Sequence, residues 1–274
     1  MKKYIALLLA LVMMFALAAC SSKAEPAAEG SAEAAADSDL AYVKEKGTLV
    51  VGITDFAPMD YKDTDGSWIG FDADMAKAFA EMLGVEVEFV EIDWDNKIME
   101  LNGKNVDCIW NGMTLTDEVK SSMSCSAPYC NNAQIVVMKA DKIADYADAE
   151  SMKELTFAVE AGSAGEAAAD EQGFTTTPVQ TQAAALMEVA AGTSDACIID
   201  SLMAAAMVGE GTDYANLATA VTLGAEDAEE FGVGFRQGSD LAAVFDAFFA
   251  AALADGSAMQ IAETYGVQAA LITE

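Results

Sequence analysis

The chain has 274 residues, 53% of them hydrophobic, and sets 14 Lys and Arg against 45 Asp and Glu for a formal net charge of −31 at pH 7. A body this acidic repels phosphate backbones and anionic lipid heads, which excludes nucleic acid as a partner. Histidine is absent, which excludes Ser-His-Asp and Cys-His catalysis, HExxH zinc sites and most other zinc sites, so no catalytic residue, metal or cofactor is expected.

The first element is Lys2-Lys3, an unbroken apolar run from Tyr4 to Ala19, and then Ala18-Ala19-Cys20. The run is too short, and wrongly flanked, for a spanning helix. The order looks like a bacterial lipoprotein signal peptide: residues 1–19 are cut away and the thiol of Cys20 takes the lipid. Cleavage removes Lys2 and Lys3 and no acid, which moves the balance from −31 to about −33. Residues 20–39 are mostly Ala, Glu, Ser, Gly and Pro. Such a stretch buries too little surface to offset its ordering entropy and reads as a flexible tether. A lipoprotein cysteine carries at least two acyl chains, enough for stable anchoring at the outer face of the cell membrane.

The globular part begins near Leu40, a length that suits one large domain or two small ones. Leu49–Ile53 is a fully apolar run and predicts a buried strand. Phe71, Met75, Ala78, Phe79, Met82 and Leu83 recur on one helical face after Gly70, and Gly84 ends that helix. Val85–Val90 alternates as a half-buried strand does, a helix is expected over Asn96–Asn102, and Val106–Trp110 is another strand. Strands alternating with helices predict a parallel α/β sheet. The pattern then restarts: strands at Gln134–Met138, Thr156–Glu160 and Ala196–Asp200, helices at Gly165–Glu171, Gln182–Ala191 and Leu202–Val208. A strand at Phe231–Arg236 and helices at Asp240–Asp255 and Ser257–Tyr265 close the chain. Two α/β units imply two lobes with a cleft, the usual place for a ligand.

Four cysteines remain after Cys20, and none has metal-ligand spacing. Cys108 and Cys197 lie in apolar runs that suit buried free thiols. An exported compartment leaves a disulfide among Cys108, Cys125 and Cys130 open.

Several short motifs occur in a fixed order: Gly47-Thr-Leu-Val-Val-Gly52, Ala57-Pro58, Gly70-Phe71-Asp72-Ala-Asp74, Trp94, Asn105-Val-Asp107, Gly112 to Glu118, Ser126-Ala-Pro128-Tyr129, Gly162-Ser163, Ser194-Asp195-Ala196, Asp200, and Gly232-Val-Gly234-Phe235-Arg236. Taken together they resemble the extracellular solute-binding proteins of the polar amino-acid family (bacterial solute-binding protein family 3), the capture subunits of ABC importers. The resemblance implies a two-lobed α/β Venus-flytrap fold with two hinge strands. Residues 40–132 plus 237–274 would form lobe one, and 133–236 lobe two. It also implies a monomer that takes an amino acid or related amine and passes it to a membrane permease. An enzyme on the same scaffold, cyclohexadienyl-dehydratase-like, and a sensory amino-acid-binding protein are the alternatives.

The resemblance also implies the site. Phe56, before Ala57-Pro58, would cover the ligand. Asn111, Gly112, Met113 and Thr114 would offer backbone groups and a hydroxyl to the ligand's ammonium and carboxylate. Gly162 and Ser163 would present N–H groups to the carboxylate, and Asp200 would pair with the α-ammonium. One departure stands out. The family's Thr-x-Thr-x-Glu-Arg ends here as Thr114, Thr116, Glu118 and then Val119, so the arginine that clamps the carboxylate is missing, and Lys120 is a poor substitute. Glu160 stands where a neutral residue usually contacts ligand. An acid gained and a guanidinium lost suit a cationic or amine-rich ligand. The other reading is an ordinary amino acid held by Thr114, Ser163 and main-chain amides, with Glu160 facing solvent or a lysine.

Overall fold

The computed structural model describes residues 38–224 and 229–273. The expected signal segment, Cys20 and nearly all of the tether lie outside the described residues.

The first half builds around β1 (Thr48–Ile53), an apolar strand buried along most of its length. It is preceded by α1 (Asp39–Lys46). A small hairpin, β2 (Tyr61–Lys62) with β3 (Trp68–Ile69), leads to α2 (Phe71–Leu83). That helix buries Phe71, Met75, Phe79 and Leu83 of the face expected from the 3.6-residue spacing, but leaves Met82, expected there too, 49% exposed. β4 (Glu86–Glu91) pairs in parallel with β1, Thr48 opposite Glu86 through Ile53 opposite Glu91. After a 3₁₀ turn at Trp94–Asn96 and α3 (Lys97–Asn102) comes β5 (Cys108–Thr114). It also lies parallel to β1, with Val51 opposite Cys108. This strand runs on past Trp110 and carries Asn111 to Thr114 at its C-terminal end.

α4 (Asp117–Ser122), β6 (Ser124–Cys125) and β7 (Cys130–Asn132) follow. The chain then passes through Ala133 into a second sheet at β8 (Gln134–Lys139). β9 (Thr156–Glu160), α5 (Ala164–Gln172), β10 (Thr175–Val179), α6 (Gln182–Ala191), β11 (Ala196–Asp200), α7 (Ser201–Met207) and β12 (Leu217–Leu223) complete that half. The five strands lie in the order β10-β9-β11-β8-β12. The first three are mutually parallel; β8 runs antiparallel to β11, and β12 antiparallel to β8. The expected all-parallel sheet is therefore corrected on one side of each half. The strands that carry the chain between sheets enter against their neighbours, because no crossover helix precedes them.

β13 (Glu229–Phe235) returns to the first sheet, antiparallel to β5, with Phe231 opposite Thr114 and Phe235 opposite Cys108. That sheet has the order β4-β1-β5-β13-β6, with β7 also on β13. The division expected from sequence gave 229–236 to lobe two; the ladder with β5 puts Glu229–Phe235 in the first sheet. Its apolar residues would fit either core, so only the pairing reveals the side.

α8 (Leu241–Asp255) and α9 (Ser257–Tyr265) close the first half. Phe245 of α8 meets Trp110 edge-on at 4.8 Å and Phe79 at 5.6 Å. Each such aromatic pair adds about 0.5–1.5 kcal/mol beyond its buried area. Arg236, the only arginine of the chain, is buried beside β13. It binds both carboxylate oxygens of Asp39 at 3.0 Å and Asp107 at 3.3 Å, so it ties α1 to the sheet. Cys108, Cys125, Cys130 and Cys197 are all free thiols, and burial raises the pKa of each. Among the described residues no single helix is long and apolar enough to cross a membrane.

Candidate functional site

Parallel strands converge their useful ends on one side, and ligands of α/β sheets bind there. Here the C-terminal ends of β1 and β5 face the C-terminal ends of β9 and β11. Glu160 is the last residue of β9 and Asp200 the last of β11, on neighbouring strands. Across from them stand Thr54, just after β1, and Lys97 at the start of α3.

Glu160 is 2% exposed, and its Oε1 has no hydrogen-bond partner. Burial, and next the negative charge of Asp200, push its pKa up from 4.5 to about 8; Thr54, Lys97 and Gln182 oppose the rise. It therefore does not face solvent, one of the two alternatives open from sequence. Asp200 is held differently. Three side-chain amides donate to it, from Asn132, Gln134 at 2.8 Å and Gln182, and its own N–H donates to Gln182 Oε1 at 2.8 Å. Burial raises its pKa to about 6, with the amides lowering it and Glu229 adding to the rise. Asn132 and Gln134 also donate to Glu229, at 3.1 and 2.8 Å. These residues sit where the chain crosses between the sheets, so the Asp200 network joins the site to both crossings.

On the first sheet, Asn111 does not reach outward. Its side chain accepts from the Thr54 N–H and hydroxyl and donates to the Thr54 carbonyl and to Asp60 at 2.8 Å. The Gly112 N–H donates to Asp72 at 2.6 Å, and Tyr129 donates to the same carboxylate oxygen at 2.7 Å. Burial lifts the pKa of Asp72 to about 7 and that of Asp60 well above its ordinary value. Phe56 is buried edge-on to Phe231 at 6.2 Å, and a Cβ on Gly112 would fall 2.5 Å from its ring. Phe56, Asn111 and Gly112 are thus committed to partners within the first half.

Met113 and Thr114 at the end of β5 and Val119 of α4 meet Gly162 and Ser163, just after β9, around a cavity of about 410 Å³, which Glu160, Asp200, Phe56, Asn111 and Gly112 do not line. Val119 lines that cavity and also packs among Trp94, Met113 and Met123. Ser163 caps α5, accepting from the Glu166 N–H at 3.1 Å, while Glu166 accepts from the Gly162 N–H at 2.7 Å. This capping box occupies the Gly162 N–H that the resemblance assigned to a ligand carboxylate. Gly162 has φ 71°, and a Cβ there would lie 2.7 Å from Asp95 Cα on the opposite side.

Sequence reasoning missed Gln134, Gln182, Glu229 and Lys97. Gln182 begins a helix and Gln134 a strand, positions with no motif around them. The signal that could have singled out Lys97 is its place just after Trp94, over whose ring the ammonium lies at 5.1 Å.

The model of the bacterial extracellular solute-binding proteins, family 3, matches residues 49–268. The chain belongs to that family. The arginine-binding extracellular protein ArtP of Bacillus subtilis is 30% identical to it over 256 residues, 90% of this chain and 91% of ArtP. The crystal structure of a histidine-bound ABC uptake transporter substrate-binding protein from Streptococcus pneumoniae superposes with a TM-score of 0.75 at 27% identity. The match covers 84% of this chain and 96% of that one. An ancestral amino-acid-binding protein described as a precursor of cyclohexadienyl dehydratase gives 0.75 at 31%, covering 83% and 99%. The family-3 chain is thus an amino-acid-binding protein of ABC-type systems with the two-lobed fold, and its relatives are named as binding proteins rather than enzymes.

Proposed function

We propose that this family-3 protein is the lipid-anchored capture subunit of an ABC importer for a cationic amino acid. The observation that carries the ligand class is the pair Glu160 and Asp200, two buried carboxylates on adjacent strand ends. The one arginine of the chain, Arg236, is committed to Asp39 and Asp107. A cationic amino acid brings two positive groups, its α-ammonium and its side chain, one for each acid, and forms charge-assisted hydrogen bonds away from water. An acidic ligand would add to the repulsion. Relatives named for arginine and histidine support the same class, whereas the L-cystine-binding protein TcyJ of Escherichia coli, 29% identical, does not discriminate.

The lobes in this reading are 40–132 with 229–274, and 134–223, joined through Ala133 and through the segment before β13. The ligand lies between them in this reading, against Thr114, Val119 and Ser163 of the cavity wall, and reaches Glu160 and Asp200 beside Phe56, Asn111 and Gly112. Lipidation at Cys20 rests on the residues around it, and delivery to a permease on the family's role. Thermal-shift screening of the mature protein tests the ligand class. A cationic amino acid at about a hundredfold excess over its Kd should stabilise the fold by about 2.7 kcal/mol, an increase in Tm of about 5–10 °C for a chain of this size. L-Glutamate should give none. A response to L-glutamate with none to L-arginine, L-lysine, L-ornithine or L-histidine would refute the cationic reading.

A further inference from the structure

Lys97 is 5% exposed and opens α3 at the rim of the 410 Å³ cavity. Its ammonium donates to the Trp94 carbonyl at 3.3 Å and, across the cleft, to the Gly162 carbonyl at 2.8 Å. An ammonium has three N–H groups, so one is left over. Among the described residues, no carboxylate lies within ion-pairing distance of it; Glu118, Glu160, Asp95 and Glu166 act on it only from farther away. Burial accordingly pulls its pKa down. A buried cation held by two carbonyls and the Trp94 ring is a costly arrangement unless an anion completes it. Among the described residues lining the cavity Lys97 is the only cation, against four acids, Asp117, Glu118, Glu171 and Glu229, and Thr114, Val119 and Ser163 share that lining.

We infer that Lys97 receives the carboxylate of the bound amino acid, at the place where Val119 leaves the cavity wall without a charge. The inference rests on the amino-acid-binding reading and adds a polarity to it: carboxylate toward Lys97, Thr114 and Ser163, ammonium groups toward Asp200 and Glu160. The Gly162 carbonyl fixes the ammonium only when the two sides meet, so the anchor is assembled by closure.

The test is titration calorimetry on the full mature protein, using L-arginine, L-lysine and L-histidine, each beside its own α-carboxamide. The variants are Lys97→Met and Lys97→Gln. If Lys97 holds the carboxylate, both variants lose about 10- to 100-fold in affinity for the tightest acid. Their affinity for its carboxamide, which wild type already binds more weakly, stays within about threefold. Lys97→Arg keeps the preference for acid over carboxamide and serves as the control if the neutral variants fold poorly; a lost preference in that variant counts against the anchor. Equal losses for acid and carboxamide would make Lys97 a latch between the lobes and overturn the inference, leaving the functional reading intact. Wild type binding none of the three amino acids would overturn the functional reading, and the anchor with it.

Discussion

Glu160 and Asp200 bind protons more readily in the folded protein than in the unfolded chain, with pKa values of about 8 and about 6 against 4.5 and 3.8. Asp72, at about 7, does the same. The folded state therefore holds more protons across this range, and linkage makes ligand-free stability fall as pH rises from about 4 toward about 8. Chemical denaturation at pH 5 and pH 8 should show greater stability at pH 5. A cationic ligand favours the ionised acids, so its binding should release protons and tighten as pH rises from 6 to 8. Calorimetry in buffers of different ionisation enthalpy measures that release; proton uptake would contradict the ligand class. Glu160→Gln removes the charge that burial opposes. The ligand-free variant should gain about 2–4 °C in Tm at pH 8, the equivalent of about 1 kcal/mol, and lose affinity for the cationic ligand. Asp200→Ala has a different outcome: it strands the amides of Asn132, Gln134 and Gln182, so stability should fall by about 1–3 kcal/mol even without ligand.

Helices and strands that carry a full apolar face were legible in the sequence, and those at the edges of the second sheet were not. Phe71 to Leu83 and Thr156–Glu160 are read correctly because each has a buried side that the core enforces. Thr175–Val179 and Leu217–Leu223 are the two edge strands. Their partly exposed residues, with Pro178 in one, lack the pattern that marks a central strand. The site divides likewise. Asp200 and Ser163 come from motifs, whereas Lys97 is an ordinary helical lysine until Gly162 arrives from the other sheet. Gly162→Ala tests that approach. Its Cβ would enter Asp95 at 2.7 Å with φ at 71°, so closure should be penalised by about 1–2 kcal/mol and ligand affinity should fall; unchanged affinity would show that the two turns separate in the bound state. Arg236→Leu should destabilise the fold by about 3–5 kcal/mol, since it leaves Asp39 buried without its cation, while Asp107 keeps Lys46 at 2.6 Å; denaturant titration reads the loss.

At the scale of the whole molecule, a chain with a net charge of −31 attracts cations, which suits the proposed capture of a cationic amino acid. Two sheets joined by two crossings touch through Lys97 with Gly162 and through Gln180 with Asp93, contacts that the proposed equilibrium between open and closed forms would break and remake. Ligand that touches both lobes shifts that equilibrium toward the closed form only if it binds that form better. An amino acid held between the lobes draws them together. Small-angle scattering of the mature protein, with and without the saturating amino acid identified by thermal shift, should therefore show a smaller radius of gyration with ligand; an unchanged radius at saturation would rule out capture between the lobes.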